Sequence, residues 1–209
     1  MAVGNSTNAT FYSISNGKIC RQFTSPDDET KERTNMNGKV VHEKFYDFID
    51  GQIVDITTKE SDYGKSWIVT LIDEGGSYQL QMPYSSGYAS AFLKTLPNVD
   101  LSKPVKLIPK LEIVNDKKKT TLFVTQGGSP VKWFYTKEHP NDMPTLVKKR
   151  VKGKDVWDDS DMMEFLDEMV ENEIKPKLRP AQVYAKPAPV RAGTSASKDE
   201  VENDDGLPF

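Results

Sequence analysis

Apolar and polar residues alternate along much of the chain between Lys18 and Thr136, with the period of two that is typical of half-buried β-strands. In the clearest case, the apolar residues Tyr78, Leu80 and Met82 are separated by two glutamines. The alternation predicts eight strands, at residues 18–23, 40–49, 52–58, 66–72, 78–82, 105–114, 120–126 and 131–136. Asp50-Gly51 is predicted as a hairpin turn, and the polar residues 115–119 as a longer hairpin loop.

One helix interrupts the predicted strands. Between Pro83 and Pro97 the large apolar residues follow helical spacing. Three strands, a helix and two further strands, preceded by an extra N-terminal hairpin, are the element order of an OB-fold, a five-stranded Greek-key barrel. We therefore expect a mainly β protein with an OB-fold. Another small barrel or sandwich remains the alternative, because one sequence does not reveal strand order.

A second helix is predicted after the strands, over residues 158–174. It has an apolar stripe that includes Met162, Leu166 and Met169, and acidic residues crowd its first turn. The stripe can dock this helix on the barrel. Alternatively, the helix binds a partner or a second copy of the chain, because its opposite face is almost wholly acidic.

Composition divides the chain into five parts. We predict a flexible N-terminus (1–16), the OB-fold domain (17–154), the acidic amphipathic helix (155–175), a disordered basic linker rich in Pro and Ala (176–197), and an acidic tip (198–209). Residues 1–154 contain 22 Lys and Arg against 17 Asp and Glu, whereas residues 155–173 contain nine acidic side chains and no basic one. The overall charge of −3 therefore hides a basic body and acidic C-terminal segments.

The chain ends with two large apolar side chains on an acidic segment that has no core of its own. This tip consists of Asp204, Asp205, Gly206, Leu207, Pro208 and Phe209. A terminal Phe offers a ring and an α-carboxylate on one residue, and a partner pocket with a basic mouth can bind both groups. The pattern therefore predicts a protein-interaction site.

The same six residues resemble the acidic tip of bacterial and bacteriophage single-stranded-DNA-binding proteins, which typically end Asp-Asp-Asp-Ile-Pro-Phe. Gly206 replaces an acid of that pattern and Leu207 replaces Ile. The order of body, linker and tip is also similar, although the body is longer than the bacterial one, which favours a divergent bacteriophage type. The resemblance implies roles in DNA replication, recombination or repair, with a nuclease, helicase, primase or polymerase bound by the tip.

Binding of an unpaired strand without sequence preference requires cations for phosphates and aromatic rings for bases. Alternation within the predicted strands places Lys106, Lys110, Lys132 and Phe134 on one outward face, with Trp133 and Tyr135 in the core, and Trp67 also favours the core. The predicted DNA-binding residues are Lys59, Tyr63, Lys65, Lys106, Lys110, Lys117, Lys118, Lys119, Lys132 and Phe134.

No catalytic motif emerges from the sequence. The chain has two histidines, far apart, and a single cysteine, Cys20, so neither a zinc set nor a disulfide framework is expected. We expect a cytoplasmic, non-enzymatic protein that has no cofactor or membrane segment and binds single-stranded DNA. Under this hypothesis the protein acts either as a single chain or as a homo-oligomer. The alternative is an adaptor that does not bind nucleic acid and docks partners through its C-terminal peptide.

Overall fold

The computed structural model describes residues 9–35, 37–151 and 153–178, and these residues form a mainly β protein. Twelve strands occur among them, and ten of these strands make one sheet. The strands are β1 (Thr10–Ser15), β2 (Lys18–Phe23), β3 (Lys31–Thr34), β4 (Val40–Tyr46), β5 (Ile49–Lys59), β6 (Ser66–Asp73), β7 (Gly76–Pro83), β8 (Val105–Val114), β9 (Lys117–Gln126), β10 (Ser129–Pro130), β11 (Val147–Val151) and β12 (Lys154–Asp158).

The centre of the large sheet is a Greek key. Strands β5, β6 and β7 form an antiparallel meander, and β8 returns to pair with the free side of β5. The resulting order, β8-β5-β6-β7, is the Greek-key arrangement. Across the described residues the sheet runs from β10 at one edge to β3 at the other without a pairing that closes it.

The predicted turn at Asp50-Gly51 is wrong, because both residues lie inside β5 and pair with Lys106 and Val105 of β8. A Cβ atom on Gly51, whose φ is +153°, would lie 2.9 Å from the carbonyl oxygen of Ile72 on β6. The glycine therefore permits β6 to approach β5 closely at the point where β5 is paired on both sides. The sequence alone does not distinguish a glycine of this kind from a glycine in a turn.

An N-terminal hairpin extends the sheet beyond β7. Strand β1 runs parallel to β7 and pairs with β2 through a tight turn at Asn16-Gly17, where both φ angles are positive. The expectation of a flexible segment over 1–16 is therefore wrong for residues 10–15. The physical reason is that Tyr12 packs edge-on against Tyr46 and Tyr78, so the first strand is attached to the core by aromatic contacts.

The predicted helix between the strands is confirmed as α1 (Gly87–Thr95), followed by a 3-10 turn at Leu96–Asn98. The hydroxyl of Ser86 caps its N-terminus by accepting a hydrogen bond from the Ala89 N–H at 3.1 Å. Phe92 and Leu93 of this helix are fully buried with Trp67 of β6, so α1 closes one side of the core.

The second helix, α2 (Ser160–Met169), begins later than predicted, because Lys154–Asp158 form strand β12. It continues as a π-helical turn at Val170–Ile174 and a 3-10 turn at Lys175–Lys177. Its apolar stripe, including Met163 and Leu166, is buried in the same core as the sheet, as expected of a docked helix.

Two predictions near the end of the sheet are also wrong. The loop expected over 115–119 is a two-residue turn, since Asn115 and Asp116 alone have positive φ there and β9 starts at Lys117. The strand expected over 131–136 is absent from the described chain, and of residues 129–136 only Ser129 and Pro130 form strand pairs with β9. The Val131 N–H still bonds the Val124 carbonyl, but the chain then leaves the sheet toward α1.

No helix in the described ranges has the length and apolar character to cross a membrane. Most of the predicted linker (176–197) and all of the tip (198–209) lie outside the described residues.

The tight packing of α1 against β9 can be tested at Gly87. A Cβ atom there would lie 2.6 Å from the carbonyl oxygen of Thr120 and 2.5 Å from its Oγ1. We expect Gly87→Ala to lower the free energy of unfolding by about 1–3 kcal/mol, the usual cost of overpacking. Urea unfolding of this variant beside Ser85→Ala, an exposed neighbour, checks the expectation, and equal stability of the two variants contradicts it.

Candidate nucleic-acid interface

The two faces of the β8–β9 hairpin differ in chemistry because side chains alternate along each strand. One face is buried where the hairpin lies next to β5 and includes Leu107, Leu122 and Val124 there. The other faces outward, with Lys106 opposite Thr125, Ile108 opposite Phe123, and Lys110 opposite Thr121. The pleat that buries the leucines therefore turns the lysines outward.

Exposed rings lie among these outward lysines. Phe123 is 43% exposed, and Phe48, just before β5, has the same exposure. The Lys106 Nζ lies 4.0 Å from the centre of the Phe48 ring, which is a cation–π contact. We call the following set the basic–aromatic face: Phe48, Lys106, Ile108, Lys110, Lys117, Lys119 and Phe123.

Acidic residues interrupt this face at two points. Glu112 lies opposite Lys119 and forms an ion pair with Lys110 at 2.7 Å, and this hydrogen bond holds the pKa of the Glu112 carboxyl below its usual range. Asp50 lies opposite Lys106. Because Lys110 and Glu112 are both largely exposed, water screens their pair, and Lys110 can exchange this partner for another anion at little cost.

The remaining predicted lysines of the hairpin divide between its two faces. Lys117 and Lys119 point outward with Lys110, since they lie opposite Val114 and Glu112. Lys118 lies opposite Ile113 and points to the other side. The structure therefore assigns two of the three consecutive lysines to the basic–aromatic face.

Two predicted residues lie at the far end of the β5–β6 hairpin. Tyr63 is 88% exposed in the turn, and its hydroxyl accepts a hydrogen bond from the Asn37 amide at 3.3 Å. Lys59 ends β5 opposite Ser66 and is exposed. Both side chains are accessible, but no described contact joins them to the basic–aromatic face.

Lys65, also predicted to bind DNA, instead connects the sheet to α2. Its Nζ forms an ion pair with Asp167 at 2.7 Å and lies 4.1 Å from the centre of the Tyr84 ring. Tyr84 in turn stacks on Trp67, with ring centres 5.4 Å apart and an interplanar angle of 6°. The sequence did not predict this role, because the partner is 102 residues away.

The Tyr84 hydroxyl completes this connection. It donates to Asp167 at 2.9 Å, and burial, followed by this hydrogen bond to a carboxylate, raises the pKa of Tyr84 well above its usual value. Trp67 is fully buried, as predicted, and its indole Nε1 has no partner among the described residues. The Lys65 ammonium group therefore lies between the Asp167 carboxylate and the Tyr84 ring.

Lys132 and Phe134 do not share the outward face of β8, because residues 131–136 are not a strand. The Lys132 carbonyl accepts a hydrogen bond from the Asn98 amide, and the Phe134 N–H donates to the Lys94 carbonyl at 2.8 Å. Both residues therefore lie beside the C-terminal end of α1. Of the two rings of residues 131–136 that were predicted to be core, Tyr135 is buried, whereas the placement of Trp133 was wrong, since it is 41% exposed.

An aromatic cavity of about 160 Å³ adjoins one end of the basic–aromatic face. Its lining includes Phe48, Tyr12, Tyr46 and Tyr78. Burial is the main cause that raises the pKa of Tyr78 to about 12, with a hydrogen bond to Asp73 adding to it. The Tyr78 hydroxyl therefore remains neutral at physiological pH.

Sequence reasoning missed two features of the surface. Phe48 was assigned to a predicted strand, and its contact with Lys106 depends on the pairing of β5 with β8. The hairpin of β11 and β12 was divided between two predicted segments, although the glycine at position 153 was a sequence signal for a turn.

The described chain contains no cluster of three or more His, Cys, Asp or Glu side chains arranged to hold a metal ion. Cys20 is buried, and this desolvation raises the pKa of its thiol to about 11, which disfavours the nucleophilic thiolate.

Comparison of the chain with protein-family models, with curated proteins and with solved structures finds no match.

The attachment of α2 can be tested at Asp167, which accepts hydrogen bonds from Lys65 and Tyr84. We expect Asp167→Asn to lower the free energy of unfolding by about 1–2 kcal/mol, because it removes a charge-assisted pair that is partly shielded from water. Glu168→Gln removes the same charge from the exposed side of the helix and is the matched control. Urea titrations that show equal losses for the two variants contradict this role.

Proposed function

We propose that this protein binds single-stranded DNA without sequence preference, through the basic–aromatic face, and carries out no chemistry of its own. The observation that carries the proposal is the outward placement of four lysines and exposed Phe123 on one paired hairpin, beside exposed Phe48. Phosphates require the cations, and unpaired bases require the rings.

The dimensions of the face suit a flexible polyanion. Lys106 and Lys110 are four residues apart on one strand, which corresponds to about 13 Å. Cross-strand neighbours such as Ile108 and Phe123 have Cβ atoms about 5 Å apart. Cations along one strand therefore reach separate phosphates while a ring between them accepts a base. A duplex hides its base faces by stacking and pairing, so exposed rings favour the unpaired form.

The connectivity supports an OB-fold as the framework. Strands β5 to β9, with α1 between β7 and β8, have the element order of that fold, and β8 pairs with β5 as its Greek key requires. On this interpretation the N-terminal strands are an addition along β7. The binding of oligonucleotides by OB-folds is an analogy of fold, and the proposed site depends on the residues named above.

The C-terminal tip extends the proposal to protein partners. Asp204–Phe209 resembles the tip of single-stranded-DNA-binding proteins, and an anionic peptide that ends in Phe suits a pocket with a basic rim. We infer that it recruits a nuclease, helicase, primase or polymerase during replication, recombination or repair, in the cytoplasm of a bacterial host if the chain is of bacteriophage origin.

The basic–aromatic face can be tested by the salt dependence of oligo-dT binding. The double variant Lys106→Ala and Lys110→Ala should weaken binding and reduce the slope of log K against log salt by about 1.4, since each lost phosphate contact on a single strand contributes about 0.7. The matched control is Lys31→Ala with Lys39→Ala, two exposed lysines at or beside the opposite edge of the sheet.

Fluorescence titrations at several salt concentrations measure both quantities. Equal slopes for the two double variants would exclude the proposed face. Failure of the wild-type chain to bind oligo-dT even at low salt would favour the adaptor hypothesis, and metal-dependent cleavage of the oligonucleotide would indicate an enzyme.

Removal of Asp204–Phe209 should separate the two proposed activities. We expect affinity for oligo-dT to stay unchanged or to rise, because the deletion removes anionic groups that compete with phosphates. Retention of purified replication proteins on the immobilised chain should be lost, and Phe209→Ala should reproduce most of that loss. A fall in DNA affinity upon truncation would contradict this division.

A further inference from the structure

The hairpin of β11 and β12 lies outside the ten-stranded sheet. Its strands pair in register from Val147 opposite Asp158 to Val151 opposite Lys154, and Gly153 in the turn has a φ of +80°. An isolated two-stranded hairpin is only marginally stable in water. Ion pairs of Lys148 with Asp155 and of Lys149 with Asp158 support this one.

One face of this hairpin combines an exposed indole with cations. Trp157 is 64% exposed and lies opposite Lys148. Arg150 follows Lys148 on the same face, which also carries Asp155 opposite Arg150. A tryptophan that leaves most of its ring in water forgoes much of the free energy that its burial would provide. This exposure is informative because Trp67 of the same chain is completely buried.

The charges of the hairpin favour an anionic ligand. Residues 147–158 contain five Lys and Arg and two Asp. Each of the two carboxylates forms an ion pair with a lysine, whereas Arg150 forms none within the described part of the chain. A planar guanidinium without a carboxylate partner is suited to bidentate contact with phosphate.

We propose that the β11–β12 hairpin is a second arm for the single strand, on which Trp157 stacks against a base while Arg150 and Lys148 contact phosphates. The inference rests on the proposed function and adds a site outside the sheet. A protein partner is less suited to this face, because a stable protein interface buries about 800 Å² on each side with an apolar centre. Here a single ring is surrounded by charged groups.

The intrinsic fluorescence of the chain provides a direct test. Its three tryptophans differ in exposure: Trp67 is 0%, Trp133 41% and Trp157 64% exposed. In the full-length protein, oligo-dT should quench emission, and Trp157→Phe should remove a major share of that quenching. Because Phe can still stack, this variant should bind oligo-dT with nearly wild-type affinity.

The affinities of two further variants complete the test. Trp157→Ala should weaken oligo-dT binding by about fivefold to 100-fold, the range expected for loss of one stacked base. Val156→Ala shortens the adjacent exposed side chain on the opposite face and should bind like wild type. Arg150→Ala should reduce the salt slope by about 0.7, which a purely structural role of the hairpin would not produce.

The outcomes distinguish this inference from the proposed function. If Trp157→Ala and Arg150→Ala bind oligo-dT with wild-type affinity, the proposed second arm is wrong, whereas the proposed role of the basic–aromatic face is unaffected. Absence of wild-type binding at low salt overturns both. A change in oligomeric state with Trp157→Ala, measured by analytical ultracentrifugation, together with unchanged DNA affinity, also overturns the arm and identifies a second copy as the occupant.

Discussion

The alternation of side chains on β8 and β9 is the constraint on which the proposed site depends. Leu107, Leu122 and Val124 must be buried for the hairpin to attach to the core, and the pleat then directs the intervening residues outward. A shift of one residue in the pairing would bury Lys106 and Lys110 and expose the leucines. Burial of the core and presentation of the cations are thus consequences of a single register.

The packing of α2 against the sheet determines which lysine side chains remain available to bind a ligand. Asp167 on this helix engages Lys65, and Tyr84 extends the contact to the buried Trp67. A lysine that appears equivalent to its neighbours in the sequence is therefore part of the structural framework. The acidic side chains on the outer side of α2, such as Glu164 and Glu168, remain exposed and face away from the apolar stripe.

Much of the fold could be predicted from local patterns. Period-two alternation identified the segments of β2, β6, β7 and β8, and helical spacing located α1, because each of these elements buries one face. The predictions were wrong where a residue is required by a contact with a distant part of the chain and not by local secondary structure. Gly51 serves a close strand contact. Residues 131–136 alternate in character, but after Val131 the chain leaves β9 and Phe134 bonds to Lys94 of α1.

The candidate site was predictable to the extent that it follows from strand alternation. Lys106 and Lys110 were correctly placed together on an outward face, and Lys117 and Lys119 join them once the short turn is known. Phe48 could not be found in this way, because its neighbour Lys106 is distant in sequence and only the pairing of β5 with β8 brings the two together.

The most direct test of the central claim is to locate the bound strand on the protein. Ultraviolet crosslinking of the full-length chain to a halogenated oligo-dT, followed by mass spectrometry of the adducts, reports which rings touch bases. Binding at the basic–aromatic face predicts adducts on Phe123 or Phe48 that disappear when unlabelled oligo-dT competes. Adducts confined to β1–β4, or none above the level obtained with duplex DNA, would contradict it.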